Sequence, residues 1–137
     1  MASMATAGDR VKSRNLIERS FEFAVRIIKL CDWLDGRRGV SRRLADQLLR
    51  AGTSVGANVE EGQGAETPKD FAHKYAIALK EARETNYWLR LLLRAQVVPP
   101  ARLKNLLQES IEVKLMLGAA VRTAKSRTAG KAADRRT

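Results

Sequence analysis

The chain has 137 residues, of which 45% are apolar and 30% charged, and a formal net charge of +11. That length suits one domain with a buried core, and the apolar share excludes a wholly disordered protein. A single cysteine, Cys31, excludes an internal disulfide; with no signal peptide and no apolar run of membrane length, a cytoplasmic protein without a membrane partner is expected.

Only three prolines occur, at 68, 99 and 100, and the stretches between them are rich in Leu, Ala, Arg, Glu and Lys, the composition of an all-α protein. Residues 1–12 are small and polar and are expected to be disordered. The first helix is predicted from Ser13 or Asn15 to Leu34, because Leu16, Phe23, Ile27, Leu30 and Leu34 recur at helical spacing. Asp35–Gly39 reads as a turn.

A second helix is predicted from an N-cap at Ser41 to about Glu61. Its inward positions, Leu44, Leu48, Ala51 or Gly52, Val55, Val59 and Gly62, run straight through AGTSVGANVEEGQG. Gly52 and Gly56 therefore sit inside an amphipathic pattern, where each costs a helix about 1 kcal/mol relative to alanine. Close approach of a neighbour would offset that cost, and Tyr75, Tyr87 and Trp88 on the next helix are the expected visitors. The alternative is a helix broken at Gly52 or Gly56. Gly62–Glu66 is expected to be the exit loop.

The third helix has the clearest start: Thr67 as N-cap, Pro68 at the first helical position, and Asp70 placed as the acid of a capping box. Phe71, Tyr75, Ala78, Ala82, Thr85, Leu89 and Leu92 form its seam, and Val97–Pro100 ends it. A fourth helix is predicted from about Ala101 to Thr123, after which residues 124–137 lose apolar rhythm and are expected to be a basic disordered tail. Four helices over 13–123, joined by short turns, predict an up-down-up-down antiparallel four-helix bundle.

At GTSVGANVEEGQGAETPKDFAHKYAIALKEARETNYWLRLL the sequence resembles a bacterial family of four-helix-bundle proteins, first noticed as reading frames in intervening sequences of large-subunit ribosomal RNA genes. It is also similar to the accessory proteins of diversity-generating retroelements. The resemblance covers about residues 15–121 and is strongest from Leu44 to Leu93. It rests on Asn58 and Glu61, then Asp70-Phe71, then Ala78-Leu79-Lys80-Glu81-Ala82-Arg83-Glu84 and Tyr87-Trp88-Leu89-Arg90. It implies a ring-shaped homopentamer, sometimes with a basic pore; in the retroelement relatives such a surface engages nucleic acid and a reverse transcriptase.

Constellations for catalysis are missing. Gly62-Gln63-Gly64 follows no strand and leads to no Gly-Lys-Ser/Thr, so no nucleotide-loop signature is met. A di-metal carboxylate site needs two Glu-x-x-His pairs, and His73 is the one histidine. Cys31 reads as an inert buried thiol. No enzyme activity, metal or cofactor is expected.

Asn58, Glu61, Glu81 and Glu84 lie near the second–third helix contact, with Arg50, Arg83 and Arg90 within reach. They are read as a register-fixing and assembly network, the alternative being exposed pairs worth about 0.3–0.5 kcal/mol each. Glu22–Arg26 and Asp46–Arg50 are read as such exposed pairs.

Residues 122–137 carry six basic side chains and one acid, and the body from 15 to 121 carries 17 against 13. Arg19, Arg26, Lys29, Arg42, Arg43, Arg50, Arg90 and Arg94 are the candidates for contact with nucleic-acid phosphates, which would be salt-dependent and weakly sequence-selective. The competing reading is a charge that only keeps the protein in solution. The expected function is a nucleic-acid-associated scaffold for RNA or DNA. Its alternative is a self-assembling module whose partner is a protein.

Overall fold

The computed structural model describes residues 7–136, with side chains described from 15 to 130 and at Asp134. Four helices, α1 (Ala7–Asp35), α2 (Val40–Gln63), α3 (Pro68–Arg94) and α4 (Pro100–Arg136), are joined by short turns, and no strand occurs among the described residues. Each helix packs on its neighbours in chain order and α1 also meets α4, whereas the backbones of the diagonal pairs stay farther apart. The helices therefore surround one shared core.

Thr67 caps α3 as its sequence requires: its hydroxyl accepts from the Asp70 amide at 3.1 Å, with Pro68 leading the helix. The start of α2 differs from expectation. Val40 is its first residue and Gly39, at φ 76°, is the N-cap, while Ser41 lies within the first turn and is buried. A chain arriving in the left-handed region needs glycine there, and that requirement outranks a serine's capping preference.

Two helix ends run past the apolar pattern. α1 begins at Ala7, and α4 continues to Arg136, so residues 7–12 and 124–136 are helical; residues 1–6 and 137 lie outside the described residues. Past Ala124, which is still buried, the α4 sequence is made of Ala, Lys, Arg, Ser and Thr with one Gly, one Asp and no proline, so helix propensity continues beyond the apolar stripe.

The core has two clusters. One gathers Phe23, Ile27, Leu34, Leu48, Leu89, Leu92 and Leu103, the other Leu16, Val55, Val59, Tyr75, Ala78, Val113 and Leu117. Every helix passes from one cluster to the other through small or polar buried residues: Ser20 on α1, Gly52 and Gly56 on α2, Thr85 and Asn86 on α3, Ser110 on α4. This waist is polar yet satisfied. Ser20 donates to the Ile17 carbonyl at 3.2 Å, Thr85 to Glu81 at 2.7 Å and Ser110 to Leu107 at 2.7 Å, while the Asn86 amide donates to Ser110 Oγ at 2.9 Å.

Gly52 and Gly56 are helical, so α2 is unbroken, and both are pressed closely. The neighbour is α1, however, and not the α3 aromatics. A Cβ on Gly52 would stand 2.7 Å from Ile27 Cγ2, and one on Gly56 would stand 3.2 Å from the Ser20 carbonyl oxygen. Tyr75 instead covers Gly62, where a Cβ would lie 2.7 Å from the ring, and its hydroxyl accepts from Gln63 at 2.6 Å. Tyr87 is exposed, and Trp88 packs beside the first core cluster.

Alanine scanning of glycines tests this packing, because the same change has opposite signs at different sites. Gly52→Ala is expected to lower stability by about 1–3 kcal/mol, since overpacking against the branched, buried Ile27 outweighs the gain in helix propensity. Gly118→Ala, whose Cβ meets nothing nearer than Arg122 Nη1 at 3.5 Å, is expected to raise it by about 0.5–1 kcal/mol. Urea denaturation monitored by helical circular dichroism measures both.

Candidate nucleic-acid interface

The arginines singled out by sequence divide into two groups once their neighbours are known. Arg19 is a clamp between α1 and α4. Its Nη2 donates to Glu109 at 2.9 Å and Glu112 at 2.7 Å, its Nε to Glu109 at 3.0 Å, and Nη1 lies 3.2 Å from the Met116 sulfur. The guanidinium holds the Glu109 carboxyl below its ordinary range, and Arg26 adds a weaker pull in the same direction. Arg50 is the corresponding clamp between α2 and α3, reaching Glu81 at 3.3 Å and also Glu84. Trp88 Nε1 adds a bond to Glu84 at 3.3 Å. Arg19 and Arg50 are therefore engaged in ion pairs between helices.

The expected assembly network is smaller than its sequence reading. Arg50, Glu81 and Glu84 form it. Glu61 instead pairs with Lys74 at 2.7 Å in an exposed contact, and Asn58 donates back to the Ser54 carbonyl at 2.8 Å within its own helix. Glu22–Arg26 and Asp46–Arg50 make no ion pair; Arg50 finds stronger partners across the helix seam. Cys31 is buried and donates to the Ala45 carbonyl at 3.5 Å; burial, with Asp46 nearby, pushes its thiol up to about 12, so a thiolate is disfavoured.

Arg83 and Arg90 do not join that network. With Lys114 and Arg122 they line a groove of about 440 Å³ between α3 and α4, together with Leu79, Asn86, Leu115 and Gly118. Four cations and no acid line it. Spacing explains the two rows: Arg83 and Arg90 are seven residues apart on α3, and Lys114 and Arg122 eight apart on α4, each pair two turns along one face. The Arg90 Nε donates to Asn86 Oδ1 at 2.9 Å, and its guanidinium lies 5.8 Å from the Tyr87 ring. Asn86 thereby ties the groove to the waist and fixes one side of the Arg90 fork.

Of the remaining candidates, Arg42 is exposed and pairs loosely with Asp35 at 3.5 Å. Lys29, Arg43 and Arg94 are exposed and Arg26 half-buried. Sequence reading did not place Lys114 and Arg122, both within the predicted fourth helix, among the phosphate-binding candidates. It also passed over Arg37 and Arg102, whose guanidinium groups lie 4.0 and 4.7 Å from the Trp33 ring. The helical period of α3 and α4 was the available signal for the groove.

No helix among the described residues is long and apolar enough to cross a membrane. The family described as 23S rRNA-intervening sequence protein matches residues 12–119. Among solved structures, the chain is similar to a protein with unknown function from the S23 ribosomal protein family of Bacteroides thetaiotaomicron VPI-5482. The two are 37% identical with a TM-score of 0.74, covering 81% of this chain and 98% of that one. No curated protein matches.

The α1–α4 clamp carries a pH dependence. Glu109 has a lowered folded-state pKa, so its contribution is present at neutral pH and is lost as pH falls through that lowered value. Arg19→Gln is expected to cost about 1–2 kcal/mol at pH 7 and to flatten the acid limb of the stability profile. Thermal melts of both proteins from pH 3 to pH 7 measure the difference, which should narrow toward the acid end.

Proposed function

The chain belongs to the 23S rRNA-intervening sequence protein family, and from that premise we propose a non-catalytic, nucleic-acid-associated scaffold that holds the phosphate backbone of RNA or DNA. The observation that carries this reading is the α3–α4 groove, with Arg83, Arg90, Lys114 and Arg122 on its walls and no carboxylate among its lining residues. Cations gathered in a concavity raise the local potential more than the same charges scattered over a surface. Contacts of this type neutralise phosphates and release counterions without reading bases. α4 continues beyond Arg122 with Lys125, Arg127 and further basic residues, which extends the attraction along the helix. A cytoplasmic setting accompanies this proposal.

A second feature favours self-association as part of the same role. Phe21 and Ile28 are 57% and 49% exposed on α1, two turns apart with Val25 between them, and Leu49 is exposed on α2. An uncovered apolar stripe of this kind suits contact with another copy. The antiparallel bundle and ring-shaped homopentamer belong to this proposal. The pairs Arg50–Glu84 and Glu61–Lys74, which advance on α2 while they retreat on α3, support the up-down arrangement.

Fluorescence anisotropy with labelled single-stranded RNA and duplex DNA over a salt series tests the groove. Affinity is expected to fall steeply with salt, and Arg83→Gln with Lys114→Gln is expected to reduce the log–log slope by about two. Absence of binding at low salt would overturn the nucleic-acid reading. Native mass spectrometry of Phe21→Lys with Ile28→Lys reads the assembly, which is expected to shift to smaller species; a wild-type protein that is a monomer at micromolar concentration would remove the ring.

A further inference from the structure

The outer face of α3 carries a row of side chains that neither the core nor the ion pairs between helices use. Lys80, Arg83, Tyr87, Arg90 and Arg94 follow one another in steps of three and four, so they lie on one line along the helix, about 21 Å from end to end. All five are exposed. We propose, on the premise of the nucleic-acid role given above, that the strand bound there is single, with its phosphates on these cations and one of its bases stacked on Tyr87.

Charge comes first. A solvated helix face ordinarily intersperses both signs. Here the exposed residues of α3 from Lys80 onward are these five and Leu91, with no acid among them. The acids of that span, Glu81 and Glu84, are half-buried and held by Arg50 of α2. Arg83 and Arg90 also line the α3–α4 groove, where Lys114 and Arg122 add two more cations from the facing helix. A polyphosphate chain is the partner that such a row complements.

Tyr87 is the independent observation. The two tyrosines of α3 have opposite settings: Tyr75 is buried and hydrogen-bonded to Gln63, whereas Tyr87 is 46% exposed. The Tyr87 ring is tilted by 58° against Trp88 at 5.3 Å, and the Arg90 guanidinium lies 5.8 Å from its centroid. Arg90 is held by Asn86 and lines the groove, so an open aromatic ring and a groove cation are kept side by side. A phosphate on Arg90 would bring its own nucleoside within reach of that ring.

This pairing selects for the state of the strand. Cations that track a backbone attract duplex and single strand alike, but a stacking ring rewards only bases that can be splayed out. In a duplex the base faces are stacked on one another, and Tyr87 would meet sugar and phosphate alone. Stacking is tolerant of sequence because every base has a π-face, in keeping with phosphate contacts that read no bases. A second copy docking row to row on this face would set cations against cations, which disfavours self-association here.

Anisotropy of the full chain with three labelled probes tests the proposal: an oligothymidylate, an abasic deoxyribose-phosphate chain of the same length, and a duplex with the same number of phosphates. The oligothymidylate is expected to bind about tenfold more tightly than the abasic chain, and more tightly than the duplex. Tyr87→Ala is expected to remove that preference with abasic binding, salt slope and melting temperature nearly unchanged, and Tyr87→Trp to keep it. Arg83→Gln with Lys114→Gln is expected to lower the salt slope for all three probes and to keep their ratio. If no probe binds at low salt, the nucleic-acid role itself fails and this inference with it. Equal binding of all three leaves that role standing and overturns the single-strand preference alone. A preference that survives Tyr87→Ala overturns it too. So does a change in the assembly of that variant by native mass spectrometry, which would assign the ring to an interface between copies.

Discussion

The structure depends on how closely α1 lies against α2. Gly52 faces the branched atoms of Ile27, and Gly56 faces the backbone of Ser20, so the separation is set by a buried side chain at one glycine and by a backbone at the other. Once α1 is that near, the centre has room only for small groups. The helices answer with Ser20, Thr85, Asn86 and Ser110 in place of leucines. Buried hydroxyls would be costly without partners, and here they use carbonyls three or four residues back on their own helices, which requires no cross-helix precision. Among these waist groups, the Asn86–Ser110 bond crosses between helices, and it fixes the level at which α3 meets α4. The apolar clusters on either side provide most of the driving force. The waist provides register.

Much of this was legible in the sequence. Period and punctuation identified four helices, the Thr67 cap, the continuity of α2 through its glycines, and the fact that something approaches them. The identity of the visitor was not legible, because a glycine lacks the side chain whose direction would point to a neighbour, and both α1 and α3 offer apolar residues at that level. The roles of the arginines were equally hidden. Arg19 and Arg83 have the same intrinsic chemistry, and what separates them is the presence of Glu109 and Glu112, ninety or more residues away in the chain, beside one of them. The limits of α1 and α4 escaped a reading based on apolar rhythm, because helix propensity outlasts the buried stripe. Ser41 looked like a cap, and the positive φ of Gly39 put the cap two residues earlier.

The same division of acids explains why a body of modest net charge acquires a strongly basic groove. Glu81 and Glu84 are spent on Arg50 at the α2–α3 seam, and Glu109 and Glu112 on Arg19 at the α1–α4 seam. The α1–α2 seam is closed by glycine packing and carries only the loose, exposed Arg42–Asp35 pair among the described residues. That leaves the α3–α4 seam, where the waist bond between Asn86 and Ser110 fixes the register that an ion pair would otherwise fix. Its cations are thereby released from structural duty, and Asn86 holds one of them, Arg90, in place from below. A carboxylate added there would strengthen the seam and cancel the field. Keeping the register bond neutral allows one seam to be both closed and attractive to anions, so the polar waist is what joins the packing of this protein to its surface chemistry.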